Sequence, residues 1–170
     1  GSISGVVGID ALSLTGNEAV DSGATWDASL SDRVAAVEKI TRKAADQGAV
    51  ITLSAHMPNF DVIDKRVKAY EAGGKTASTS DTLGYTEDAD GNRTYNFSGY
   101  TPNVLTGDVV SRIMPGQDLN YLYTAYLDMI AAYADAAEND GITILFRPFH
   151  ECTGSWFWWG SAFCDSNAYI

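Results

Sequence analysis

The chain has 170 residues, 45% of them hydrophobic, enough for one domain with a real core. Its 22 acidic side chains outnumber 11 basic ones, and the formal charge of −11 argues against nucleic acid or anionic membrane as partners while suiting a neutral ligand. No apolar run approaches the roughly 18–20 residues of a membrane-spanning helix, and no leader peptide is legible.

The first predicted element is Gly5-Val6-Val7-Gly8-Ile9-Asp10, a short apolar strand that ends in a carboxylate. Leu30, Val34, Val37, Thr41, Ala44 and Ala45 then form a helical stripe, with Gly48 placed to stop it. Ala49 to His56 is a β-branched second strand that ends in a histidine. Residues 58–117 are polar and turn-rich without a sustained period, notably at Gly73-Gly74, Thr76 to Asp81 and Asp88 to Asn92. A loop of that length is functional or disordered, and because it leaves the strand end at His56 it is expected to rim a binding cleft.

Leu119, Leu122, Tyr123, Tyr126, Leu127, Ile130, Tyr133, Ala134 and Ala137 keep helical spacing over about five turns. Asp118 is the expected cap, and Asn139-Asp140-Gly141 the stop. Ile142 to Phe146 is the third strand. Near-continuous apolar strands indicate a parallel sheet buried on both faces. The strand–helix rhythm is that of an α/β fold, either a barrel or a doubly wound sheet, in one domain without internal repeats. Asp10, His56 and His150-Glu151 then lie at strand ends on one side, where such folds bind ligands.

The third strand runs into Arg147-Pro148-Phe149-His150-Glu151 and a loop, Gly154-Ser155-Trp156-Phe157-Trp158-Trp159-Gly160, carrying three of the four tryptophans. Indoles beside a carboxylate suit a sugar ring, whose C–H faces stack while an acid reaches the glycosidic oxygen. Glu151, next to Phe149 and Trp156, is expected to be partly desolvated, which raises a carboxyl pKa toward that of a general acid. Glycoside hydrolysis needs a second carboxylate, roughly 5–5.5 Å away in retaining enzymes. Trp156 is the expected sugar platform, with at least one of Trp158 and Trp159 packed inward. His150 bonds to substrate or carboxylate, His56 supplies a polar contact, and Arg147 orients carboxylates through its guanidinium fork or forms a structural ion pair. Cys152 and Cys164, twelve positions apart, suit either a disulfide or two free thiols. Two histidines without the H-E-x-x-H spacing exclude a zinc peptidase, and a dedicated metal site is not expected.

Arg147 to Glu151 with Gly154 to Gly160 resembles the acid/base motif of glycoside hydrolase family 26. Leu53-Ser54-Ala55-His56 with Asn59, Gly99-Tyr100-Thr101-Pro102-Asn103 and Met114-Pro115-Gly116 are similar to other segments of that family. The resemblance implies a (β/α)8 barrel and retaining, endo-acting hydrolysis of β-1,4-mannan without a cofactor or metal. Glu151 is then the acid/base, and His56, His150, Trp156 and Arg147 bind substrate. Cys152 departs from the residue expected after the glutamate. Residues 1–170 correspond to strands two to four of eight, so the nucleophilic glutamate is expected outside this chain. Such a barrel needs about 250 residues. Three strands leave two bare edges, for which the remainder of the barrel is the expected partner. A secreted location follows from the resemblance. Xylan or mixed-linkage β-glucan are rival substrates, and a non-catalytic glycan-binding segment or a structural segment of a larger assembly are rival readings.

Overall fold

The computed structural model describes residues 5–18, 25–165 and 167. Three strands, β1 (Val6–Asp10), β2 (Val50–Ser54) and β5 (Ile144–Arg147), form a parallel sheet in the order β1-β2-β5. Their register aligns Asp10 with Ser54 and Ser54 with Arg147, so three chain segments leave the sheet at one end. Two further strands, β3 (Tyr85–Glu87) and β4 (Arg93–Tyr95), form a separate antiparallel hairpin. The helices are α1 (Leu30–Ala45), α2 (Phe60–Ala72), the single turn α3 (Val109–Arg112) and α4 (Asn120–Asn139). None of them is long and apolar enough to cross a membrane. The chain divides into two compact units, Gly1–His56 with Leu127–His150, and Met57–Tyr126 with Glu151–Ile170.

In the first unit, α1 starts where the Ser29 hydroxyl accepts from the Asp32 N–H at 3.1 Å. It buries Val34, Val37 and Thr41 of the anticipated stripe together with Arg33 and Ala36, while Leu30, Ala44 and Ala45 are half-buried. Thr41 Oγ1 and Tyr133 Oη lie 2.6 Å apart and tie α1 to α4. Arg33, only 3% exposed, donates to the Leu14 carbonyl at 2.6 Å and the Ala28 carbonyl at 3.2 Å, which satisfies a cation that burial disfavours. At the other end of α4, Gly141 N and Ile142 N donate to Glu138 and Ala137 carbonyls. Ile142 is thereby used to close the helix, and β5 starts two residues later than its apolar run.

Burial of the sheet differs from the expectation. Ile51 and Leu53 are fully buried, but Leu145 (50% exposed), Phe146, Val6 and Val50 are open to solvent. Side chains alternate across a strand, so Val6, Val50 and Leu145 share one open face, whereas Phe146, in register with buried Leu53, is exposed on the other at the edge strand β5.

In the second unit the segment 58–117, expected as a structureless rim, contains a 13-residue helix, a hairpin and a helical turn. Phe60, fully buried, meets Phe97, Tyr123, Tyr126 and Trp158 edge-to-face at 5.7–6.2 Å. Such pairs add about 0.5–1.5 kcal/mol each beyond the area they bury. Two carboxylates share the buried side of α2. Asp61 accepts from Lys65 Nζ at 2.6 Å and Arg112 Nη1 at 2.7 Å, and Asp64 accepts from Tyr121 Oη at 2.9 Å and pairs with Lys68 at 2.6 Å. Gly107, at φ +101°, lets the backbone pass so close to Asp61 that a Cβ would sit 2.8 Å from that side chain. Asp118, the expected cap of α4, instead holds Arg112 through both carboxylate oxygens, at 3.0 and 2.6 Å.

Candidate active site

At the end of the parallel sheet, in the first unit, the three strand-end groups foreseen from the sequence meet. Asp10 closes β1, and its side chain is 11% exposed. Oδ1 accepts from the backbone N–H of Leu12 at 3.0 Å and of His56 at 3.2 Å. Oδ2 accepts from Ser54 Oγ at 2.6 Å and lies 2.7 Å from His56 Nδ1. His56 Nε2 is in turn 3.1 Å from His150 Nε2, with the rings crossing at 78°. Arg147 ends β5 in register with Ser54; it is exposed and forms no ion pair among the described residues.

Sequence reasoning named His56 and His150 but passed over Asp10 as their anchor. The available signal was the parallel pairing of the first two strands. It sets a strand-end carboxylate beside Ser54, two residues before the histidine.

The second unit holds Glu151 and the tryptophan loop. Phe149 (φ +52°) and Glu151 (φ +56°) both adopt the left-handed backbone conformation. That costs a bulky residue of order 1–3 kcal/mol, and such outliers cluster at functional sites. Glu151 is exposed, not desolvated as expected. Trp156 meets it through its polar edge, Nε1 donating to Oε2 at 2.7 Å. The indole itself is 53% exposed. A Cβ at Gly154 would collide with the Trp156 ring, so this glycine permits the close turn.

The rest of the loop packs inward. Trp158 and Trp159 are both buried and cross edge-to-face at 5.2 Å, and Phe157 stacks on Trp159 at 4.5 Å. Trp158 also ties the loop down. Its backbone N–H donates to the Pro102 carbonyl at 3.1 Å, and its Nε1 donates to the Met57 carbonyl at 3.2 Å. Cys152 and Cys164 form no disulfide, and the Cys164 thiol donates to the Trp159 carbonyl at 3.3 Å.

The chemistry on offer is an exposed carboxylate with one oxygen held by an indole N–H, suited to passing a proton to or from a bound oxygen. Asp10, the other strand-end acid, is saturated by donors and unsuited to attack a carbon. Among the described residues no three His, Cys, Asp or Glu side chains assemble into a metal-ligand set.

Comparison with known proteins agrees with the sequence motifs. A model of glycosyl hydrolase family 26 matches residues 13–169. A mannan endo-1,4-beta-mannosidase of Bifidobacterium adolescentis is 33% identical over 168 residues, covering 96% of this chain and 13% of that protein. Among solved structures, the catalytic domain of the Bacillus sp. JAMB-750 endo-beta-1,4-mannanase superposes with a TM-score of 0.67 at 28% identity. It covers 99% of this chain and 34% of its own. A modular endo-beta-1,4-mannanase from Cellulomonas fimi gives 0.63 at 30% identity, over 95% of this chain and 28% of its own. The chain thus spans about a third or less of the relatives it matches. With a family match over residues 13–169, nearly its whole length, the chain belongs to glycosyl hydrolase family 26.

Proposed function

We propose that the full-length protein carrying this chain is a retaining, endo-acting β-1,4-mannanase, and that residues 1–170 are part of its catalytic domain, a (β/α)8 barrel to which they contribute strands two to four. The observation that carries this reading is Glu151, exposed and anchored through Trp156 Nε1, in the loop that follows a parallel strand. In the proposed cycle Glu151 protonates the leaving glycosidic oxygen, then deprotonates the incoming water. The attacking carboxylate is not among residues 1–170, consistent with the commitment of Asp10 to hydrogen bonds. His56, His150 and Arg147, grouped at the sheet end, bind sugar hydroxyls, and the open face of Trp156 stacks on a pyranose.

The substrate is mannan, galactomannan or glucomannan, in keeping with the mannanases it resembles, and the location is outside the cell. The edge strand β5, with Leu145 and Phe146 exposed on opposite faces, is where the next strand of the barrel would pair. The test is Glu151→Ala in the full-length protein. Turnover of unactivated mannan falls by about 100- to 10,000-fold, while manno-oligosaccharide binding persists. Unchanged hydrolysis eliminates the assignment. Binding without turnover in the unmutated protein favours a glycan-binding role, which the exposed Trp156 also suits.

A further inference from the structure

We infer that Asp10 is a positioning residue that sets the tautomers of both histidines at the sheet end. A carboxylate only accepts hydrogen bonds, and an imidazole nitrogen either donates or accepts. Since Oδ2 lies 2.7 Å from His56 Nδ1, that nitrogen carries the proton in the neutral ring. His56 Nε2 is then a lone-pair acceptor. His150 Nε2, 3.1 Å away, must be the donor of the pair. One carboxylate thus dictates proton placement on two rings in sequence, Asp10 to His56 to His150.

The anchor is well fixed. Besides the imidazole, Asp10 takes two backbone N–H groups and the Ser54 hydroxyl, all from β1, β2 or the turns that follow them. Rotation of the carboxylate would break several bonds together, so the acceptor face toward His56 is held by the sheet register itself. The consequence for function rests on the proposed mannanase reading. His150 immediately precedes Glu151 in the chain, and a sugar hydroxyl meeting either histidine finds a donor or an acceptor according to the tautomer that Asp10 imposes.

Asp10→Asn in the full-length protein tests this. Asn keeps the shape, and its oxygen can still accept from the two backbone N–H groups. Its NH2 group would face His56 Nδ1, inverting that ring to the Nε2–H form and forcing His150 Nε2 to become an acceptor. With selective 15N-histidine labelling across a pH series, the nitrogen shifts of the neutral rings in the unmutated protein should show His56 protonated on Nδ1 and His150 on Nε2. Asp10→Asn should exchange both patterns, whereas Ser54→Ala should leave both unchanged.

The expected kinetic companion is a fall in kcat of roughly tenfold or more for Asp10→Asn. Finding His56 protonated on Nε2 in the unmutated protein, or unaltered shifts in Asp10→Asn, overturns the proposal. Inverted shifts with undiminished kcat overturn the positioning role. Absence of mannan turnover in the unmutated protein overturns the functional reading instead, and the nitrogen shifts still decide the tautomers.

Discussion

Asn59 is the side chain whose loss should be felt furthest in the second unit. It is fully buried at the start of α2 and makes two kinds of bond. Its Oδ1 accepts from the N–H groups of Asp61 at 3.0 Å and Val62 at 3.2 Å, capping the helix. Its Nδ2 donates to the carbonyls of Val104 at 2.6 Å and Thr106 at 2.9 Å, pinning the loop that also bonds Trp158 through Pro102. The cap is worth about 1 kcal/mol, and each of the two neutral bonds to carbonyls adds about 1 kcal/mol. Asn59→Ala should therefore cost about 3 kcal/mol. Asn59→Ser, which retains a capping hydroxyl but cannot reach the loop, should cost about 2 kcal/mol. Urea unfolding followed by tryptophan fluorescence measures both, and amide hydrogen exchange over residues 101–107 shows whether the loop is released. A loss below about 0.5 kcal/mol for Asn59→Ala, or unaltered exchange at 101–107 in both variants, refutes the reasoning.

Trp156→Phe keeps an aromatic face but deletes the N–H that holds Glu151. It should lower kcat about three- to tenfold, the value of one exposed bond to a carboxylate, with oligosaccharide affinity by calorimetry little changed. An equal loss in affinity would assign the residue to stacking alone. Burial by itself pushes the Asp61 carboxyl up, but Lys65 and Arg112 outweigh it and hold the group below the ordinary carboxylate range. The unfolded chain then binds that proton more tightly than the folded one. The stabilisation is complete above the unfolded value of about 3.9 and disappears as pH falls through the lower, folded value. Asp61→Asn should flatten the decline of urea midpoints between about pH 5 and pH 2, and an identical decline in both proteins contradicts the sign.

Period and turn chemistry alone were enough to read β1, β2, β5, α1 and α4 from the chain, because each is an apolar or helically periodic run bounded by turn residues. The motif around Glu151 was equally legible, since residue types there follow one another without interruption. The helix α2 was not. Its apolar positions Phe60, Ile63 and Val67 share their buried face with Asp61 and Asp64, which look solvent-facing on paper. They are tolerated inside only because Arg112 and Tyr121 arrive from 51 and 57 residues away to neutralise or bond them. The same holds at the candidate site. Asp10 reads as an ordinary strand-end acid until the β1–β2 register brings it against His56. Trp156 reads only as a sugar platform, and its second contact, the N–H that the turn at Gly154 aims at Glu151, emerges in the folded loop. Glu151 itself is exposed, with a left-handed φ of +56° that no sequence pattern announces. Hydrophobic repeats are local and survive in one dimension, whereas the pairing of polar groups depends on distances that exist only after the chain has folded.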